Sequence, residues 1–167
     1  MTAPALSGFH HLKIPVADLD ASLVWYQRVL SAHHLTRLDH VDSDGTRYAT
    51  ILQIPGLPVP IELRWAPTAA LALRQCDLMV LALDTDEQLD DWIEHLDAHD
   101  VEHSPILPGG GGPVIVIVDP DGKYIRLMRQ PPGGLASQTM PDKPLDPDGP
   151  WLNAPPMRHP RPTSNGR

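Results

Sequence analysis

The sequence is poor in cysteine and in long hydrophobic runs. Its one cysteine, Cys76, excludes an intramolecular disulfide and a metal site built from several thiolates of this chain. The longest apolar run, Gly112–Val118, has the length of a strand and is far shorter than the roughly 20 residues that span a bilayer. Residues 1–5 carry neither a basic nor an apolar segment, so no signal peptide is predicted. A cytoplasmic protein without membrane partners is expected.

Basic residues are also scarce. The chain has 13 Lys and Arg against 21 Asp and Glu, which gives a formal net charge of −8. Because binding to a phosphate backbone needs a basic face, nucleic acid is excluded as the main partner. With 41% hydrophobic and 20% charged residues, the 167-residue chain has a globular composition, with one sizeable core or two small modules sharing a core.

Proline is abundant by contrast. Ten of the 20 prolines follow Arg129, and residues 130–167 show no helical or strand periodicity. This Pro-rich C-terminal arm is predicted either to be a disordered tail or to wrap the body or a partner subunit. Trp151 and Leu152 favour the wrapping arm, because a solvated tail rarely needs such side chains. The folded body is therefore expected to cover residues 6–129.

The body begins with a strand and a helix. Residues 9–16 alternate in polarity as a strand does. Residues 18–30 carry an apolar stripe at helical spacing, and Asp18 is a plausible N-cap. Three more strands are predicted, at residues 34–41, 46–54 and 60–65.

After a linker at residues 66–75 the same order recurs. A strand is predicted at 77–83, and a capping-box pattern at 85–88 opens a second helix. Three further strands follow, near residues 101–106 and at 114–118 and 123–129. The order β-α-β-β-β therefore occurs twice, over residues 6–66 and 76–129, which predicts an α+β fold made of two repeats.

Three segments in this order resemble the vicinal oxygen chelate superfamily, which includes glyoxalase I, bleomycin-resistance proteins and extradiol dioxygenases. Residues 11–18 resemble the family's opening strand and helix start, residues 61–63 its fourth strand, and residues 119–127 its closing turn and strand. The resemblance covers about residues 8–129. It implies two βαβββ modules that form a partly open mixed-sheet barrel around a cavity, and it implies a homodimer.

The resemblance also implies a metal site with one ligand from the first and fourth strand of each module, typically His, Glu, His and Glu. Two of these positions match, at His11 and Glu62. The third falls on Leu78 and the fourth on Arg126, and neither side chain can ligate a metal. Asp77 is one residue away, and a register shift or bulge could bring it to the site, but strict alternation directs it to the face opposite Leu78. No cofactor is therefore expected, and Zn, Ni, Mn or Fe at the remaining half-site is the alternative.

An ion pair between Glu62 and Arg126 is predicted in place of the metal. In a catalytic role, His11 and Glu62 would act as acid–base groups and Arg126 would stabilise an oxyanion. Three further side chains are candidate ligand-binding residues: Lys13, Arg64 and Tyr48. The alternative is that these groups satisfy one another inside a filled and inert barrel.

Two classes of function remain open. The first is a metal-independent binding protein for a small molecule that carries a carboxylate, phenolate or carbonyl, similar to the bleomycin-resistance proteins. The lost ligands and the acidic charge favour it. The second is an isomerase, lyase or dioxygenase-like enzyme that abstracts a proton next to a carbonyl. A structural or regulatory dimer without a pocket is a third possibility.

Several other polar positions are predicted to have structural roles. The histidines around the second strand, among them His34 and His40, are predicted to be surface or strand-face residues. His95 and His99 are predicted to hydrogen-bond at the C-terminus of the second helix. The glycine run at 109–112 lacks the Lys-Ser/Thr of a phosphate loop and is predicted to be a mobile connection.

Overall fold

The computed structural model describes residues 3–137 and 155–158. The chain splits into two compact units, Met1–Ala72 and Leu73–Arg167, and the boundary falls within the predicted linker. Each unit contains one mixed β-sheet; the second follows the order β-α-β-β-β, and the first follows the same order with its second strand divided into two short strands. The predicted α+β fold with two such repeats is therefore confirmed.

The first unit opens with β1 (Leu12–Val16) and α1 (Leu19–Leu30). Asp18 caps the helix as predicted, because its Oδ1 accepts a hydrogen bond from the amide of Ala21 at 2.9 Å. The helix ends at Ser31, which adopts a left-handed conformation with φ of 51°. The predicted apolar stripe is buried and consists of Leu19, Leu23, Tyr26 and Leu30.

Four more strands complete the sheet of the first unit: β2 (His33–His34), β3 (His40–Val41), β4 (Arg47–Gln53) and β5 (Ile61–Trp65). The order along the sheet is β1-β5-β4-β2, and β3 also pairs with β4. β1 and β5 are parallel, whereas β4 and β5 are antiparallel. The parallel pair places the first and last strands of the repeat side by side.

The single strand predicted at residues 34–41 was wrong. A 3₁₀ turn at Thr36–Leu38 separates β2 from β3. The side chain of Asp39 stabilises this turn, because its Oδ1 accepts a hydrogen bond from Thr50 Oγ1 at 2.7 Å and lies 2.7 Å from His34 Nε2. These polar contacts between side chains replace the backbone pairing that a continuous strand would make.

Helix α2 (Pro67–Ala72) occupies most of the segment that the sequence analysis treated as a linker. It begins with a proline, which is favoured at the first position of a helix because the missing amide has no partner there in any case. Ala70 is its one buried residue.

The second unit contains one sheet and one longer helix. Its elements are β6 (Asp77–Leu83), α3 (Gln88–Ala98), β7 (Leu107–Gly109), β8 (Gly112–Val118) and β9 (Tyr124–Arg129). The strand order is β6-β9-β8-β7, with β6 and β9 parallel. At the start of α3, Gln88 Oε1 accepts the amide of Thr85 at 3.1 Å, which is one half of the predicted capping box. Among the described helices, none is long and apolar enough to cross a membrane.

The glycine run forms the hairpin turn that connects β7 with β8. Gly109 of β7 pairs with Gly112 of β8. A Cβ added at Gly109 would lie 2.7 Å from the carbonyl oxygen of Gly112, so the close approach of the two strands requires glycine. The strand predicted near 101–106 was displaced, since β7 begins at Leu107 and the earlier segment forms isolated bridges from His103 to Ile117 and to Arg158.

Candidate functional site

Five of the predicted site residues meet on the sheet of the first unit. β1 and β5 place Lys13 directly opposite Glu62. Along β5, Glu62 and Arg64 share one face, and Ile61 and Leu63, which alternate with them, are fully buried. The alternation of β5 therefore separates an apolar core face from a face that carries charged groups.

The carboxylate of Glu62 is the centre of this polar face. Its side chain has 0% exposure, yet it lies among basic groups. Arg64 Nε donates a hydrogen bond to Glu62 Oε1 at 2.6 Å. His11 Nε2 lies 3.0 Å and Lys13 Nζ 3.5 Å from Glu62 Oε2. Both carboxylate oxygens therefore face cationic or imidazole nitrogens.

The pKa of Glu62 reflects two opposing effects. Burial raises the pKa, because the charged form loses its hydration. The hydrogen bond and the charge of Arg64, with smaller contributions from Lys13 and His40, outweigh burial and hold the pKa below its ordinary value. Glu62 is therefore a carboxylate at neutral pH.

The contact between His11 and Glu62 leaves two buried polar atoms without hydrogen bonds. His11 Nε2 and Glu62 Oε2 are both buried, and neither completes a hydrogen bond with a described residue, although they lie 3.0 Å apart. The other ring nitrogen of His11 lies 2.6 Å from His10 Nδ1, which helps to orient the imidazole. The two groups are therefore in contact, but their relative orientation is not that of a hydrogen bond.

Tyr48 and His40 extend the polar face beyond Arg64. The guanidinium of Arg64 lies over the ring of Tyr48, 4.9 Å from its centroid, and its Nη2 lies 3.4 Å from His40 Nδ1. His40 was not among the predicted site residues. It joins this face because β3 pairs with β4, which sets His40 opposite Ala49. We define the Glu62 cluster as His11, Lys13, His40, Tyr48, Glu62 and Arg64.

Arg126 lies in the second unit, where it pairs with Asp77. Its Nε and Nη2 donate hydrogen bonds to the two carboxylate oxygens of Asp77, each at 2.8 Å. A bulge between Asp77 and Met79 shifts the register of β6 against β9, so the expectation from strict alternation, which directed Asp77 away, was wrong. Asp77 neutralises Arg126 within the second unit, and Arg64 neutralises Glu62 within the first.

The two units therefore carry polar pairs at matching places. In the first, His11 and Glu62 meet at the parallel pair β1 and β5. In the second, Asp77 and Arg126 meet at the parallel pair β6 and β9. Leu78, the predicted third position, is partly buried and offers no polar atom. The first pair has the chemistry of metal ligands, and the second is an ion pair.

The chain matches a family model over residues 8–153, and the description of that family is the Glyoxalase/Bleomycin resistance protein/Dioxygenase superfamily. The chain belongs to this superfamily. The match covers both βαβββ repeats and thus both polar pairs. No curated protein sequence matches the chain significantly.

Solved structures of superfamily members share the fold. The antibiotic binding protein TnmS3 from Streptomyces sp. CB03234 has a TM-score of 0.60 at 22% identity, covering 76% of this chain and 98% of that chain. A glyoxylase/bleomycin resistance protein/dioxygenase domain from Frankia sp. EAN1pec has a TM-score of 0.58 at 22% identity, with 75% and 98% covered.

A third structure contains bound ligands. It is a mutant of the fosfomycin resistance protein FosX from Listeria monocytogenes, complexed with Mn(II) and 1S,2S-dihydroxypropylphosphonic acid. Its TM-score is 0.58 at 22% identity, and the alignment covers 76% of this chain and 95% of that chain. At these identities the likeness to all three proteins shows the fold alone.

The donor set of this superfamily member does not fit a tightly held divalent metal. In the described parts of the chain, no three His, Cys, Asp or Glu side chains are grouped to hold an ion. The two donors at hand, His11 and Glu62, share their site with the cations of Lys13 and Arg64, which repel a divalent ion. The chemistry of the Glu62 cluster is therefore considered without a metal.

Proposed function

We propose that this superfamily member binds a small molecule through a carboxylate, phenolate or carbonyl oxygen at the Glu62 cluster, without a divalent metal. The observation that carries the proposal is the buried pair of His11 Nε2 and Glu62 Oε2, which lack hydrogen bonds among the described residues. Buried polar atoms are normally satisfied, because leaving one unpaired costs about 1–3 kcal/mol. A polar group of a ligand would satisfy the pair.

The charge of the cluster supports an anionic or carbonyl-bearing ligand. Lys13 and Arg64 carry two positive charges against the single carboxylate of Glu62, and Lys13 is 57% exposed and thus accessible. The ring of Tyr48 under Arg64 adds an apolar surface. TnmS3 is named as an antibiotic binding protein, and the FosX structure contains a phosphonic acid, which is an anionic small molecule.

Titration with benzoate and phenylphosphonate tests this proposal. We expect isothermal titration calorimetry to show binding that persists in EDTA, and Lys13→Ala to weaken it about tenfold, or roughly 1.4 kcal/mol. Arg28→Ala is the matched control, because Arg28 is an exposed cation on α1. Binding that vanishes in EDTA and returns with Mn(II), or an equal loss in both variants, would contradict the proposal.

The second candidate function is an enzyme that abstracts a proton next to a carbonyl. The 3.0 Å approach of His11 to the unprotonated Glu62 favours it, since the two groups could share the abstracted proton. The C–H bond of the substrate would break, the proton would pass to this pair, and the enolate oxygen would face Arg64. Incubating the protein with pyruvate in D₂O distinguishes the two functions. Deuterium that enters the methyl group of pyruvate indicates the enzyme, whereas pyruvate without deuterium indicates binding alone.

Arg126 is a candidate contact for a ligand oxygen in the second unit, because Asp77 fixes its orientation.

A homodimer is proposed from the resemblance, and exposed apolar side chains such as Val24 and Trp65 in the first unit support it. Light scattering on the purified protein measures the mass, and the mass of a single chain would contradict the dimer.

A further inference from the structure

A cavity lies wholly within the second unit and shares no residue with the Glu62 cluster. Its volume is about 350 Å³, which is within the range of small-molecule sites, roughly 300–1,000 Å³. Its walls come from the segment before β6, the ends of β8 and β9, and the described part of the C-terminal arm. We call it the C-terminal cavity; the lining residues that matter here are Arg74, Glu102, Val118, Tyr124, Pro155 and Met157.

Residues 155–158 form the wall that is outside the family match. The match ends at residue 153. Arg158 pairs with His103 through two backbone hydrogen bonds, from its amide at 2.6 Å and to its carbonyl at 3.2 Å. This pairing holds Pro155 in a buried position and Met157 in a half-buried one against the unit. The cavity is therefore completed by a part of the chain that the superfamily pattern does not contain.

The cavity combines an apolar wall with two opposite charges. Tyr124 is buried in a hydrophobic cluster against which Val118 packs, and Met157 adds a flexible apolar side chain. Arg74 and Glu102 also line the cavity, and the charged group of neither side chain forms a hydrogen bond or ion pair with a described residue. Two charges of opposite sign near one apolar surface are complementary to a ligand that carries both charges.

The turn between β8 and β9 positions Arg74. Gly122 has φ of +82°, and a Cβ at this place would lie 3.0 Å from Arg74 Cγ. The arginine stem therefore packs directly on the glycine backbone, which leads the guanidinium along the cavity wall.

We propose that the C-terminal cavity binds a small zwitterion with an aromatic body, of the class of the aromatic amino acids. Arg74 binds the carboxylate, Glu102 binds the ammonium group, and the ring packs against Tyr124 and Met157. The site is independent of the function proposed for the Glu62 cluster, so either can fail alone.

Three probes test the charges of the ligand in the full-length protein. L-phenylalanine carries both charges, 3-phenylpropionate the anion alone and phenethylamine the cation alone. We expect NMR titration to shift the amides of Val118 and Gly122, with L-phenylalanine bound most tightly. Arg74→Ala should weaken the binding of L-phenylalanine and of 3-phenylpropionate about tenfold and leave the binding of phenethylamine unchanged. Glu102→Gln should weaken the binding of L-phenylalanine and of phenethylamine and leave the binding of 3-phenylpropionate unchanged.

A matched pair of variants tests the wall made by the C-terminal arm. Arg158→Pro removes the amide that donates to His103, whereas Arg158→Ala keeps it. Weaker L-phenylalanine binding in the proline variant alone supports the proposal. Equal binding in both variants, an absence of shifts at Val118 and Gly122, or the same loss from Lys13→Ala in the Glu62 cluster would overturn it.

Discussion

Replacing Lys123 with alanine should lower the free energy of unfolding by about 3–5 kcal/mol. The side chain of Lys123 is completely buried, and its Nζ lies 2.9 Å from Asp119 Oδ2 and 2.8 Å from Asp121 Oδ2. Both carboxylates are also buried or nearly so, with 0% and 9% exposure. Without the lysine, both carboxylates would lose the ammonium group that lies between them in the turn after β8.

Two further variants separate charge from volume. Lys123→Met keeps most of the volume and removes the charge, so it should destabilise the protein almost as much as alanine. Adding Asp121→Asn to Lys123→Met should recover part of the loss, because one of the two carboxylates that contacted the ammonium group is then neutral and no longer repels the other. Urea denaturation followed by circular dichroism measures all three variants. A loss below about 1 kcal/mol for Lys123→Ala would contradict a structural role for this ion cluster.

Arg64→Ala should change the sign of the pH dependence that Glu62 contributes to stability. Burial raises the pKa of Glu62, but Arg64 and, to a lesser extent, Lys13 and His40 lower it below the ordinary value. A carboxylate with a lowered pKa stabilises the fold above its unfolded pKa of about 4.3, and this stability is lost as the pH falls through the folded pKa.

Without Arg64 the effect of burial prevails, and the pKa of Glu62 should rise above its ordinary value. The variant should then be less stable than the wild type by about 1–3 kcal/mol at pH 7, because a buried acceptor has lost its donor. The difference should shrink as the pH falls and Glu62 becomes protonated in both proteins. Urea denaturation between pH 3 and 7 measures it, with Arg28→Ala as the control. A difference that does not vary with pH would show that Arg64 does not act through Glu62.

The elements set by local patterns could be predicted from the sequence. The apolar spacing of α1 and its cap at Asp18 depend on residues within a few positions of one another, and both are present as expected. Alternation along β5 also placed Glu62 and Arg64 on one face. Such features need no knowledge of which strand lies beside which.

The contacts that decide the chemistry of the site depend on register instead. Asp77 reaches Arg126 because β6 has a bulge, and alternation alone assigns it to the wrong face. His40 joins the Glu62 cluster only through the pairing of β3 with β4. The turn at residues 119–122 was recognised, but the burial of Lys123 beside it had no local signal, since a lysine after a turn is usually exposed.

The separate neutralisation of charge in the two repeats has a consequence for how this protein tolerates mutation. Glu62 is balanced by groups of its own repeat, and Arg126 is balanced by Asp77 in the other. Because each pair is formed within one sheet, a substitution at one member acts first on its partner in the same repeat.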